Sequence, residues 1–354
     1  MMSTHIQDYN MRLSVAISWL RFPLIFMIIM LHCYSVVRLN GARAFYFESI
    51  YPFSLWLGET GVPGFFFISG YLFYLNKKSY KQKLKTRFHT LFIPYILWNS
   101  IILALYLIAF AAGRPQEINH NSIANYTFTD YIRLYWDRGS YDNGNFVPLL
   151  CPFWYIRNLL VMSILSPLFY YIIKYGRELF ILIVSILWMN TYHNAFILQT
   201  LLFFSLGAYF SIININPLEV TVRNKKTTLT LFTLFAFADI AMHTIYSTQV
   251  NLQIHRLSLI FNIPVLLLLA DFCAVRGYSK HILLNAAFIV FAVHYPIVVI
   301  LRKYCAKHFI EESDITHIFL YFICVIITTI VSLLIYSLLE IISPKLKNIL
   351  SGNR

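Results

Sequence analysis

Residues 14–37 read SVAISWLRFPLIFMIIMLHCYSVV, twenty-four positions in which Arg21 and His32 are the only basic side chains and no acid occurs. A hydrocarbon core about 30 Å thick needs roughly twenty such residues to cross it as a helix. The run is too long for the apolar core of a cleaved leader and no small-residue cleavage site follows it, so it is expected to persist as a first span. Nine further apolar runs follow, at 53–75, 88–112, 149–173, 178–193, 195–213, 227–247, 256–275, 282–301 and 316–339. They are continuously apolar rather than alternating, which selects helices over a lipid-facing barrel. The runs at 178–193 and 195–213 are short, and read as a tilted pair or a re-entrant hairpin.

Composition agrees. Of 354 residues, 59% are hydrophobic and 12% charged, against about 45–50% and about 25% in soluble domains; mean hydropathy is +0.65. The expected fold is an all-α, polytopic transmembrane bundle of about ten spans, one domain over 1–354. The net charge of +13 does not point to nucleic acid, because the basic residues lie between the apolar runs, where they set topology and meet anionic headgroups.

Lys77, Lys78, Lys81, Lys83, Lys85 and Arg87 follow the second run with no acid among them, which predicts a cytoplasmic connection. Alternation then puts both termini in the cytoplasm, with Lys174, Arg177, Arg223, Lys225, Lys226, Arg276, Lys280, Lys345 and Lys347 also inside. The polar stretch 113–147, carrying Arg114, Arg133 and Arg138, becomes the largest extracytoplasmic loop. Its Tyr131, Tyr135, Trp136 and Tyr141 could stack on sugar faces or anchor the loop at the interface. Cys33, Cys151, Cys273, Cys305 and Cys324 show no CxxC spacing and read as small core residues, not metal ligands.

Ionisable residues inside spans are costly and mark candidate sites, with interhelical pairing as the competing reading. They are Arg21, His32, Glu59, Arg157, Asp239, Asp271 and His294. Arg21 and His32 are eleven positions apart; at about 100° per residue they fall about 20° from eclipsed, and about 16 Å apart along the axis. One ligand spanning much of the membrane could touch both, and an enzymatic reading from these two residues alone requires that they not point into lipid or open onto separate cavities. Glu59, Arg157 and His294 have a depth comparable to that of His32, as a base and its orienting partners would require. On the opposite side, Ser69, Gly70, the lysine cluster and Arg87 form a basic rim suited either to a phosphate-rich ligand or to anionic lipid.

Several segments resemble the acyltransferase 3 family of bacterial inner-membrane O-acyltransferases. They are Ile17-Ser18-Trp19-Leu20-Arg21-Phe22 with His32; Val62-Pro63-Gly64-Phe65-Phe66-Phe67-Ile68-Ser69-Gly70-Tyr71-Leu72; and Arg87 through Pro94-Tyr95 to Trp98. Weaker similarity follows at Pro152-Phe153-Trp154-Tyr155-Ile156-Arg157, Phe204-Ser205-Leu206-Gly207 and Phe288 through His294-Tyr295-Pro296. One departure is that Arg87 stands alone, where many members carry two arginines before the proline.

The resemblance implies an enzyme of the bacterial cytoplasmic membrane. It would move an acyl group, usually acetyl, from cytoplasmic acyl-CoA to a sugar hydroxyl of a surface glycan or its lipid-linked precursor. Acyl-CoA is then a co-substrate, and no bound cofactor or metal is expected. His32 would be catalytic, as a base or as a transient acyl carrier; Arg21 and Arg87 would serve the donor, with Ser69 beside them. From its depth, and not from the resemblance, Glu59 is expected to orient the imidazole, as a carboxylate does in a triad; Trp154, Arg157 and His294 are expected to support the pocket. A proton- or substrate-coupled transporter or polysaccharide exporter is the alternative, but no internal repeat with Gly/Pro-broken helices supports it. A non-catalytic scaffold would leave His32→Ala silent.

Overall fold

A computed structural model describes residues 2–36, 44–139, 145–191, 195–242, 249–276, 281–309 and 313–352. Tyr141, Lys280 and the ends of several expected spans lie outside them. The helices are α1 (Met2–Cys33), α2 (Ala44–Gly58), α3 (Gly61–Leu75), α4 (Tyr80–Arg87), α5 (Ile93–Ala111), α6 (Phe128–Arg133), α7 (Trp154–Ile164) and α8 (Ser166–Asn190). They continue with α9 (Ala195–Ile212), α10 (Pro217–Arg223), α11 (Lys225–Met242), α12 (Gln249–Val275), α13 (His281–His308), α14 (Asp314–Ile342) and α15 (Pro344–Ser351). Among the described residues the strands are β1 (Glu117–Ile118) and β2 (Asn121–Ser122), an antiparallel hairpin.

Among the described residues six helices are long and apolar enough to cross a bilayer, seven if one bent pair counts as a single span. The expected second span, 53–75, is divided at Glu59–Thr60 into α2 and α3, fifteen residues each, and about 22 Å of helix is short of the hydrocarbon thickness. The expected fourth span is likewise broken: residues 151–164 and 166–190 meet at 73°. The lysine-rich connection is helical and continues into the next span, so that one helix runs over Tyr80–Ala111.

Within that long helix, Phe88–Phe92 form a π-turn, in which the Ile93 N–H donates to the Phe88 carbonyl. Such a turn carries one residue more than the α-helical register and rotates what precedes it by about 100°. It thereby sets the direction of Arg87.

Close approach of backbones fixes α3. A Cβ on Gly70 would collide with the Phe204 carbonyl of α9, and one on Gly207 with the Phe67 carbonyl of α3, the small-residue packing that membrane helices use in place of a hydrophobic driving force. The α2–α3 break rides on α1, where a Cβ on Gly61 would lie 2.7 Å from the Leu24 carbonyl oxygen and the Ser54 hydroxyl donates to the Met30 carbonyl.

Two in-span charges are structural pairs. Asp271 takes a bidentate bond from Arg12 at 2.9 and 2.7 Å, and Asp239 accepts from Ser258 at 2.6 Å and meets His255 at 2.8 Å. The described part of 113–147 folds around Ile118, Ile123, Leu134 and Leu149. Its aromatic residues serve that fold: Tyr135 bonds Ser100 at 2.7 Å, Tyr131 donates to the Ile123 carbonyl, and Trp136 stacks on Phe146.

Candidate active site

Helix α1 presents one stripe to one stripe of α13. Arg21 and Ile25 line a cavity of about 170 Å³ together with Leu284, Asn285 and Phe288 of α13. Further along both helices, His32 lines a second cavity of about 130 Å³ with Tyr295, Val298 and Arg302. Numbers rise together on the two helices, so α1 and α13 run in the same direction, as the first and ninth of the expected spans would. The α13 positions 284, 288, 291, 295, 298 and 302 recur at three- and four-residue steps, one face of a helix.

The first cavity collects the residues expected to serve the donor. Arg21 from α1, Ser69 from α3 and Arg87 from the end of α4 all line it. Tyr155 of α7 lines it too, its hydroxyl 3.2 Å from the Ser69 hydroxyl. The Arg87 guanidinium lies 5.6 Å from the centre of the Phe73 ring and the Lys83 ammonium 4.9 Å from the same ring. Two cations near one aromatic ring, of which Arg87 lines the cavity, make this the electropositive end of the site. At about 170 Å³ the cavity is smaller than the roughly 300–1,000 Å³ of drug-sized sites; it suits a slender chain rather than a whole nucleotide.

In the second cavity the His32 ring lies 5.4 Å from the His294 ring and 5.1 Å edge-on from the Tyr295 ring. His294 is fully buried. Its Nδ1 is 2.7 Å from the Phe291 carbonyl; a carbonyl only accepts, so Nδ1 carries the proton and Nε2 keeps its lone pair. No protein group among the described residues bonds that Nε2.

The expectation of one common space is not met. Arg21 and His32 share a helix face but open onto separate cavities, with Phe291 and His294 between them: Phe291 lines the first cavity, and its ring is 5.7 Å from that of His294. Stacking of Phe291 on Phe153 at 5.7 Å holds the partition.

Three other expected site residues stand elsewhere. The Glu59 carboxylate meets His255 Nε2 at 3.1 Å rather than His32, and His255 bridges it to Asp239. With the imidazole between them the three groups do not converge on one point, and no metal-binding cluster occurs among the described residues. Arg157 is buried and donates to the Trp136 and Phe146 carbonyls at 2.7 and 3.0 Å, fastening the 113–147 loop to α7. Trp154 stacks on Phe196 at 4.1 Å. Burial explains the placement of Arg157: a guanidinium at that depth is stable only where fixed acceptors satisfy it.

Tyr155 and Tyr295 lie in the resembling segments without an expected role, and Arg302 and His255 are not among the residues that the sequence marks. Tyr155 adjoins Trp154, and Arg302 lies seven residues beyond Tyr295, almost two full turns on the same face, which was the available signal.

An α-helical membrane bundle with a cation-lined cavity and a pair of histidine rings contributed by α1 and α13 fits a class, the polytopic transferases and transporters that work within a bilayer. Residues 14–337 match the acyltransferase 3 family, described as an acyltransferase domain, and the chain belongs to that family. It is a multi-pass membrane acyltransferase. No curated protein and no solved structure matches it.

Proposed function

We propose that this acyltransferase moves an acetyl group from cytoplasmic acetyl-CoA to a sugar hydroxyl of a surface glycan or its lipid-linked precursor, in a bacterial cytoplasmic membrane. Residues 1–354 act as one unit, with both termini in the cytoplasm. The observation that carries the reading is the shared stripe of α1 and α13, on which a cavity with two arginines, a pair of histidine rings and a second polar cavity follow one another.

The Arg87 cavity faces the cytoplasm, since Lys77, Lys78, Lys81 and Lys85 flank it in sequence. Arg87 and Arg21 hold donor phosphate or carbonyl oxygens by charge-assisted bonds. The nucleotide stays outside, and the narrow thioester arm enters the cavity alongside the hydrogen-bonded hydroxyls of Ser69 and Tyr155. The acceptor hydroxyl enters the His32 cavity beside Tyr295 and Arg302.

Transfer forms the ester C–O bond and breaks the thioester C–S bond. The alcohol proton goes to an imidazole and then to the departing thiolate, so the reaction balances as alcohol plus thioester giving ester plus thiol. His32 is the base, a task imidazole performs near neutral pH, or carries the acyl group between two displacements. His294, held by its Nδ1–H, offers Nε2 to a proton leaving His32. The Phe291 ring must move for the thioester to reach His32.

Purified protein given acetyl-CoA and a candidate glycan is expected to release thiol, and cells with the gene to carry an acetyl mass increment on surface glycan that the His32→Ala protein does not restore. Acetyl-CoA consumption without any acylated acceptor, or substrate movement across vesicles without thiol release, overturns the proposal and in the second case favours transport.

A further inference from the structure

Trp98 lies in the arginine-to-proline stretch noted in the sequence, yet neither cavity uses it. Its ring is buried and its indole N–H donates to the Leu350 carbonyl at 3.0 Å. That carbonyl is among the last four of α15, which a helix leaves without internal partners. An indole has one donor, and here it secures the end of a helix more than two hundred residues away in sequence.

Gly352 completes the contact. It follows α15 at φ 68°, and its N–H returns to the carbonyls of Asn348 and Ile349. A Cβ there would stand 2.7 Å from Thr90 Cα and 2.8 Å from the Thr90 carbonyl carbon, so the position needs glycine both for its backbone conformation and for its approach. Leu350 and Ser351 are buried. In the middle of α15, Lys347 pairs with Glu340 at 3.5 Å and lies near the Tyr336 ring.

Thr90 is the central residue of the π-turn. On the turn's other side Leu91 lines the first cavity, and Arg87 immediately precedes the turn and lines that cavity as well. A π-turn is a rare helical geometry, and reversion to α-helical register would swing Arg87 by about 100° away from the cavity.

We propose that segment 344–352 is a clamp on the π-turn, and that Trp98 and Gly352 are positioning residues that hold Arg87 in the donor cavity. The proposal rests on the donor reading above. It predicts that loosening the clamp weakens donor engagement without touching the chemistry.

The test uses full-length protein in lipid nanodiscs with Trp98→Phe, which keeps an aromatic ring and deletes the N–H, and Gly352→Val. Both are compared with Arg87→Ala for coenzyme A binding, for acetyl-CoA and acceptor KM, for kcat, and for hydrogen exchange over 84–95. The expected result is an increase of about tenfold in donor KM and Kd, with kcat and acceptor KM within about twofold. Exchange rises in the π-turn, and nothing further is lost when either substitution is added to Arg87→Ala.

A fall in kcat at unchanged donor KM, or losses that add to those of Arg87→Ala, overturns the clamp. If Gly352→Val does not fold, Trp98→Phe decides. A wild-type protein with no affinity for coenzyme A sinks the donor reading instead, and is told apart from failure of the clamp, in which wild type binds and the variants bind equally well.

Discussion

The two cavities along α1 differ in what their walls offer. The one at Arg21 and Arg87 has two guanidinium groups, two hydroxyls, the Asn285 carboxamide and otherwise apolar walls, the chemistry that holds an anion at one end of a slender chain. The one at His32 has an imidazole, tyrosines, a serine and Arg302, suited to a hydroxyl group whose proton must be taken. Between them stand one phenylalanine ring and one buried imidazole. If donor and acceptor enter as proposed, a single layer of side chains separates the thioester from the acceptor hydroxyl, and the helix faces that both sites share keep them aligned.

The largest effect expected is on the histidine side. His32→Ala should lower acyl transfer by about a thousandfold, within the 10²–10⁴ that a positioned base contributes, at unchanged expression and thermal stability in detergent. Retained activity would reduce the second cavity to packing. On the donor side Arg87→Ala should raise the KM for acetyl-CoA by roughly ten- to a hundredfold, the range for losing one or two charge-assisted bonds, with acceptor KM unchanged. If acceptor KM rises with it, the division of labour between the cavities is wrong.

Much of this arrangement was legible in sequence because helical periodicity is. The eleven-residue interval from Arg21 to His32 put both on one face of α1, and the match of His294 in depth brought it beside His32. Depth failed for Glu59 and Arg157, because it gives one coordinate of three and leaves undetermined the direction in which a side chain leaves its helix. Glu59 follows α2 at a break whose signals, Gly58, Gly61, Pro63 and Gly64, lie inside an apolar run long enough to be one span. Arg157 found loop carbonyls, which no periodicity reports. The π-turn left no trace in composition, and the partition between the cavities depends on the tertiary stacking of Phe291 on Phe153.

The partition can be attacked directly. Phe291→Ala should join the cavities and let water reach the donor, so that acetyl-CoA hydrolysis without acceptor rises several-fold over wild type, measured as thiol release. The same change should cost about 3–5 kcal/mol of stability, as large-to-small core substitutions do, and a thermal scan separates the two effects. Hydrolysis at the wild-type rate in folded protein would mean that Phe291 does not isolate the donor.

The smallest effect expected is at Glu59, and it bears on the comparison from outside. Glu59 lines neither cavity; its carboxylate faces His255, and its side chain is 40% exposed, against 6% for Asp239 on the other side of the same imidazole. A glutamine there can still accept the His255 Nε2–H bond, and an exposed ion pair contributes only about 0–1 kcal/mol. Glu59→Gln should therefore leave kcat and both KM values within about twofold and lower the thermal midpoint slightly. Asp239→Asn should destabilise more, because the buried carboxylate accepts from both His255 and Ser258. Should Glu59→Gln instead abolish transfer as His32→Ala does, an essential carboxylate would lie beyond both cavities, and His32 and Arg87 would not define the boundaries of the reaction.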